Sequence, residues 1–223
     1  MPTPSEIMRP WAYLNWPNRI TLLRLLLVAP FVILLQHQQQ RPVYRYLALG
    51  VFAAMALSDA ADGFLARRLN CKSRLGMILD PLADKTLIVC AAVLLSLPHS
   101  CVRDGYSLIK LPDWVVVLII GKDLWVVVGF VVLFLLTGRI RVVPSKAGKA
   151  CTVGQLAMVS ALLLSPDLNR LGPGVGTHLA RALWWIAALL SVAAAVGYTR
   201  MGLSFLAEAE PADSSSKKAD KAA

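Results

Sequence analysis

Asp59, Asp62, Asp80 and Asp84 fall within one stretch, DAADGFLARRLNCKSRLGMILDPLAD at 59–84. The first two are three residues apart and the second two are four apart. On a helix, each spacing puts both carboxylates on one face. The flanks are hydrocarbon: VFAAMAL leads into the first pair and LIVCAAVLLSL follows the second. Four carboxylates beside hydrocarbon repel one another and lose hydration unless cations hold them together. Hard carboxylate oxygens suit Mg²⁺ or Mn²⁺ better than zinc, and four of them can share two ions. Two neighbouring divalent ions are a common arrangement for clamping a diphosphate and easing its cleavage. Arg67, Arg68, Lys72, Arg74 and Lys85 add cations suited to phosphate oxygens. Gly63 and Gly76 would let a bulky ligand approach the backbone. A buried carboxylate paired with arginine for packing, or lining a proton path, accounts for one such aspartate. It does not account for four beside two glycines and a cluster of arginines.

The elements that must position these residues are apolar. The chain has 223 residues, 57% of them hydrophobic, and a mean hydropathy of +0.61. A soluble domain has about 45–50% apolar residues, and several stretches here approach the ~20 that span a bilayer. The expected fold is an all-α integral membrane protein with six transmembrane helices and a short N-terminal interfacial segment. The spans read as about 18–36, 43–69, 79–97, 112–137, 147–165 and 177–199. Gly121, Lys122 and Asp123 interrupt the fourth, and Pro166 with GPGVG at 172–176 separates the last two. Residues 1–16 carry Arg9, Trp11, Tyr13 and Trp16, aromatic and basic types suited to the membrane interface. Residues 17–205 form the membrane domain. Residues 206–223 read as a disordered polar tail.

The net charge of +10 belongs to the membrane rather than to nucleic acid, because cations collect at the cytoplasmic ends of spanning helices. Assigned to alternate sides of six spans, fourteen Lys and Arg fall with both termini and the 2–3 loop, and six fall opposite. The richer side is cytoplasmic. Both termini and the aspartates therefore face the cytoplasm, where soluble metals and nucleotides are found. The N-terminus lacks the pattern of a cleaved signal peptide, so the first span serves as its own insertion signal. Cys71, Cys90, Cys101 and Cys151 show neither a disulfide framework nor a zinc spacing. His37, His99 and His178 read as surface residues. A transporter with an acidic metal-binding site is the alternative from another class. It would spread carboxylates over several helices near the midplane, often with an internal repeat. Here they gather at one boundary and no repeat is evident.

The spacing Asp59-x2-Asp62-Gly63-x2-Ala66-Arg67-x8-Gly76-x3-Asp80-x3-Asp84 resembles, without a gap, the signature of the CDP-alcohol phosphotransferases, also called CDP-alcohol phosphatidyltransferases. The likeness extends from about 16 to 200 and gives residues 17–205 their expected domain type. It implies a membrane-embedded transferase, usually a homodimer, that cleaves a CDP-linked alcohol, releases CMP and passes the phosphoalcohol to an acceptor hydroxyl. It further implies that Asp59, Asp62 and Asp80 are metal ligands. Asp84 would be the general base and would also touch a metal. Gly63, Ala66 and Arg67 would contact nucleotide and diphosphate, and Gly76 would keep the site open. Asn18, Thr21 and Arg24 resemble the N-x2-T-x2-R opening of the family's first helix and share a face that could reach the nucleotide. Lys149-x2-Thr152-x2-Gln155 resembles the K-x2-T-x2-Q of its fifth.

Among family members, the likeness is to those that take CDP-diacylglycerol as donor. Two acceptors fit: glycerol 3-phosphate, giving phosphatidylglycerophosphate, and phosphatidylglycerol, giving cardiolipin. Glycerol 3-phosphate is the expectation, with Arg74, Lys122, Arg139 and Lys149 as the acceptor-binding cations. Lys122-Asp123 stands where glycerophosphate-using relatives tend to have Arg-Glu and cardiolipin-type ones Arg-Asp. Cys151 stands where the glycerophosphate-using ones commonly have a second lysine. The remaining expectations are a bilayer partner, no nucleic acid, and residence in the inner membrane of a bacterium.

Overall fold

Thr21, Arg24, Val28, Phe31 and Leu35 are buried at alternating spacings of three and four along helix α1 (Trp16–His37). That is the stripe by which a helix seats on its neighbours. In the computed structural model the backbone is described for residues 16–69, 76–100, 102–104, 107–137 and 146–220. Side chains are described at 21–58, 85–100, 102, 109–136, 147–205 and 207. The other elements are α2 (Pro42–Leu69), α3 (Gly76–Ser96), strands β1 (Val102–Asp104) and β2 (Ser107–Ile109), α4 (Asp113–Thr137), α5 (Lys146–Leu171) and α6 (Val175–Asp220).

The chain forms two compact units. The first comprises Met1–Pro112 and Val159–Ala180, the second Asp113–Met158 and Arg181–Ala223. In the first, α1 packs against both α2 and α3. Phe31 and Phe52 stack with ring centroids 5.7 Å apart, and Leu35, Met55, Leu87, Ile88, Ala91 and Leu95 are buried with them. Arg45 on α2 donates from Nη2 to Asp167 Oδ2 at 2.8 Å, and Tyr46 donates to Asp167 Oδ1 at 2.6 Å. Asn169 clasps Thr177 through its side-chain amide, accepting from the Thr177 N–H at 3.2 Å. In the second unit, Trp114 and Trp185 lie with ring centroids 4.8 Å apart. Trp125 Nε1 donates to Thr199 Oγ1 at 2.9 Å.

Three helices among the described residues are long and apolar enough to cross a membrane: Asp113–Leu136, Ala147–Leu171 and Val175–Phe205. Thr21–His37, Pro42–Ser58 and Lys85–Ser96 are shorter apolar helices. Val117, Leu124, Trp125, Leu135 and Leu136 on α4 are exposed, an arrangement suited to lipid rather than water. The chain is a helical membrane protein.

Four details differ from the sequence expectation. The link between α3 and α4 carries a short hairpin that was not expected: β1 and β2 pair antiparallel in the register Val102↔Ile109, Arg103↔Leu108, Asp104↔Ser107. Val102 and Ile109 are buried, which gives the short hairpin an apolar anchor. Second, α4 runs without a break through Gly121, Lys122 and Asp123, because Lys122 Nζ and Asp123 Oδ1 pair at 2.8 Å and compensate each other's burial. Third, α5 continues through Pro166 to Leu171. A proline cannot donate to the carbonyl four residues back, and the Leu162 carbonyl accepts instead from the Ser165 hydroxyl at 2.6 Å. Fourth, α6 continues as helix past the expected end of the sixth span at 199, to Asp220. That segment contains alanine, glutamate and lysine, which favour helix. The interfacial segment expected at 1–16 lies outside the described residues except for Trp16, the first residue of α1.

Candidate active site

The buried stripes of the first three helices point to the aspartate positions. On α2 the stripe is Arg45, Ala48, Phe52 and Met55. Continued in the same three-four rhythm along the unbroken helix, it reaches positions 59, 62 and 66, occupied by Asp59, Asp62 and Ala66. On α3 the stripe of Leu87, Ala91 and Leu95, run backwards, reaches positions 84 and 80, occupied by Asp84 and Asp80. Gly63 and Arg67 also belong to α2, and Gly76 opens α3. The aspartate positions thus lie on the packing registers of two helices that both seat on α1. The side chains at 59–84 lie outside the described residues.

α1 brings its polar residues to the same register. Thr21 and Arg24 are buried at the N-terminal end of its stripe, and Arg24 is only 2% exposed. Arg24 Nε donates to Ser58 Oγ at 3.4 Å, and Ser58 Oγ donates to the Met55 carbonyl at 2.9 Å. Ser58 directly precedes Asp59, so the Arg24 guanidinium sits at the level of the first aspartate. A guanidinium buried in an apolar helix costs several kcal/mol of desolvation unless partnered. The Ser58 hydroxyl is one such partner. Asn18 is helical in α1, with its side chain outside the described residues. Ser58 was not anticipated from sequence, although its position next to Asp59 was a usable signal.

The expected acceptor cations divide. Lys122 on α4 is buried, paired with Asp123, and donates to Cys151 Sγ at 3.6 Å. Lys149, in the first turns of α5, is exposed. Arg74 and Arg139 lie outside the described residues. Cys151, Ser191 and Gln155 are buried in the same unit as Lys122, and no local pattern marks the first two as belonging with it.

The model of one protein family, CDP-alcohol phosphatidyltransferase, matches residues 14–201. The chain belongs to the CDP-alcohol phosphatidyltransferase family. The match covers all four aspartates and every helix up to the apolar part of α6. The phosphatidyltransferase is 34% identical over 192 residues to a probable phosphatidylglycerophosphate synthase of Mycobacterium tuberculosis, covering 85% of this chain and 82% of that one. It is 32% identical over 160 residues to the CDP-diacylglycerol–glycerol-3-phosphate 3-phosphatidyltransferase of Bacillus subtilis, covering 67% and 77%. It is 31% identical over 216 residues to the human CMP-forming cardiolipin synthase, covering 90% and 64%. The transporter alternative is set aside by this membership.

Proposed function

We propose that this phosphatidyltransferase moves the phosphatidyl group of CDP-diacylglycerol to glycerol 3-phosphate, forming phosphatidylglycerophosphate and CMP. The observation that carries the reading is the placement of four aspartate positions on the packing registers of α2 and α3, in a chain of this family. The similarity to relatives named for glycerol 3-phosphate, and to one named for phosphatidylglycerophosphate, supports the acceptor.

In the proposed reaction a hydroxyl of glycerol 3-phosphate attacks the phosphorus that carries the diacylglycerol, the bond to the bridging oxygen breaks, and CMP leaves. Asp84 takes the hydroxyl proton as the new bond forms, since a neutral alcohol is a poor nucleophile. Asp59, Asp62, Asp80 and Asp84 have the hard oxygen donors that suit Mg²⁺ or Mn²⁺, and would hold two such ions. Divalent cations there would supply neutralisation of the charge on the diphosphate. Arg67 and Arg24 orient the donor's phosphates through charge-assisted hydrogen bonds. Asn18 and Thr21 line the nucleotide side, and Gly63, Ala66 and Gly76 leave room for it. Arg74, Lys122, Arg139 and Lys149 receive the acceptor's phosphate. The same reading places six spans in the inner membrane of a bacterium, with both termini and the aspartates on the cytoplasmic side, and a homodimer as the working form.

The similarity to a cardiolipin synthase over 90% of this chain favours a second reading, with phosphatidylglycerol as acceptor. A panel of acceptors offered to the purified protein with CDP-diacylglycerol and Mg²⁺, with the lipid products identified by mass spectrometry, separates the two. Phosphatidylglycerophosphate as the main product is expected. Cardiolipin from phosphatidylglycerol, with no product from glycerol 3-phosphate, would replace the first reading by the second.

A further inference from the structure

Lys122 places an ammonium inside a helix that is apolar enough to cross a membrane. Its ion pair is with the next residue, Asp123. Neighbouring residues on a helix point about 100° apart and do not face each other, so this pair alone does not fix the direction of the long lysine side chain. A second contact comes from another helix: Lys122 Nζ donates to Cys151 Sγ on α5 at 3.6 Å. The thiol is held in turn by the hydroxyl of Ser191 on α6 at 3.4 Å, and Ser191 is tied to its own helix by donating to the Ala187 carbonyl at 2.8 Å. One turn beyond Cys151, Gln155 Nε2 donates to the same Ser191 oxygen at 3.4 Å. Gln155 is fully buried, and its Oε1 has no hydrogen-bond partner among the described residues. A buried amide oxygen in that state costs free energy. Fully packed hydrocarbon at 151 and 191 would seal α4, α5 and α6 together at less cost than this chain of polar groups.

We propose that Cys151, backed by Ser191, is a positioning residue: it fixes the Lys122 ammonium for the anionic acceptor, and Gln155 Oε1 accepts from a hydroxyl of the same acceptor. The inference rests on the proposed use of Lys122 in acceptor binding. It adds the thiol and hydroxyl that hold Lys122, and an amide that recognises the polyol end. The acceptor class is therefore a small molecule or headgroup with both a phosphate and a free hydroxyl.

The test measures CMP release by the full-length protein in lipid–detergent micelles, with glycerol 3-phosphate and CDP-diacylglycerol varied separately. For Cys151→Ala we expect the acceptor KM to rise about tenfold, with kcat and the KM for CDP-diacylglycerol changed less than about threefold, the signature of lost binding rather than lost chemistry. Cys151→Ser keeps a donor and acceptor at that place and returns the acceptor KM to within about threefold of the unaltered protein. Adding Ser191→Ala to Cys151→Ala should cost less than the two single changes together, because both act through one contact. An unchanged acceptor KM in Cys151→Ala overturns the proposal. So does an equal fall of kcat and melting temperature in both Cys151 variants, which would mark a purely structural residue. The unaltered protein reports separately on the underlying reading. If it uses phosphatidylglycerol and not glycerol 3-phosphate, the glycerophosphate reading fails, and the same KM comparison with phosphatidylglycerol decides the role of Cys151. No CMP release with either acceptor sinks both.

Discussion

Arg24 Nε on α1 donates to Ser58 Oγ on α2 across 3.4 Å, one residue before the first of the four aspartates. This contact fixes the level at which α1 meets the carboxylate-bearing turn. Arg24 is almost wholly buried, and a buried guanidinium costs several kcal/mol to desolvate unless it is partnered.

Replacing Arg24 by glutamine keeps hydrogen-bonding capacity and removes the charge. We expect CMP release to fall by about 10–100-fold, the usual effect of removing a charged support at such a site. Ser58→Ala, which removes only the hydroxyl, should cost less than about fivefold. Steady-state rates at saturating CDP-diacylglycerol check both. A glutamine variant with full activity would leave Arg24 a packing residue.

The buried end of α2 provides a stability test remote in sequence from the aspartates. Arg45 is paired with Asp167 at 2.8 Å, with the arginine side chain 7% exposed and the aspartate 26%. Arg45→Met leaves the Asp167 carboxylate without that partner and should lower stability by about 3 kcal/mol. Asp167→Asn should cost less, because Tyr46 still donates to the side-chain oxygen. Thermal unfolding in detergent measures both. Equal, negligible shifts would mean the pair contributes nothing.

Gly176 is required by close approach rather than by backbone conformation. A Cβ there would run into the carbonyl of Ser165, and backbone cannot give way as a side-chain tip can. Gly176→Ala should destabilise by about 1–3 kcal/mol. Gly197→Ala, where the added carbon meets nothing, should be neutral or slightly stabilising. The difference in melting temperature between these two variants is the readout.

Much of this architecture was legible because apolar runs and helix length are local properties. The runs expected to end at about 36, 69 and 137 stop within a residue of the helix ends at His37, Leu69 and Thr137. The placement of the aspartate pairs on two helices was legible for the same reason. The hairpin was missed because its strands have three residues each, too few for an alternating pattern, although Asp104-Gly105 is a turn dipeptide. The continuation of α5 through Pro166 was hidden because it depends on one side-chain hydrogen bond, from Ser165. The grouping of Lys122 with Cys151 and Ser191 joins residues 29 and 40 positions apart, a distance no local pattern spans.

The central claim is that the aspartates of α2 and α3 drive a metal-dependent release of CMP from CDP-diacylglycerol. The most direct measurement is CMP formation by the purified protein with glycerol 3-phosphate, after chelation and again after adding Mg²⁺, alongside Asp84→Asn. We expect no release after chelation, recovery with Mg²⁺, and a folded variant slowed by at least about 10²-fold. Release that persists without a divalent cation, or an Asp84→Asn variant with full activity, would contradict the account.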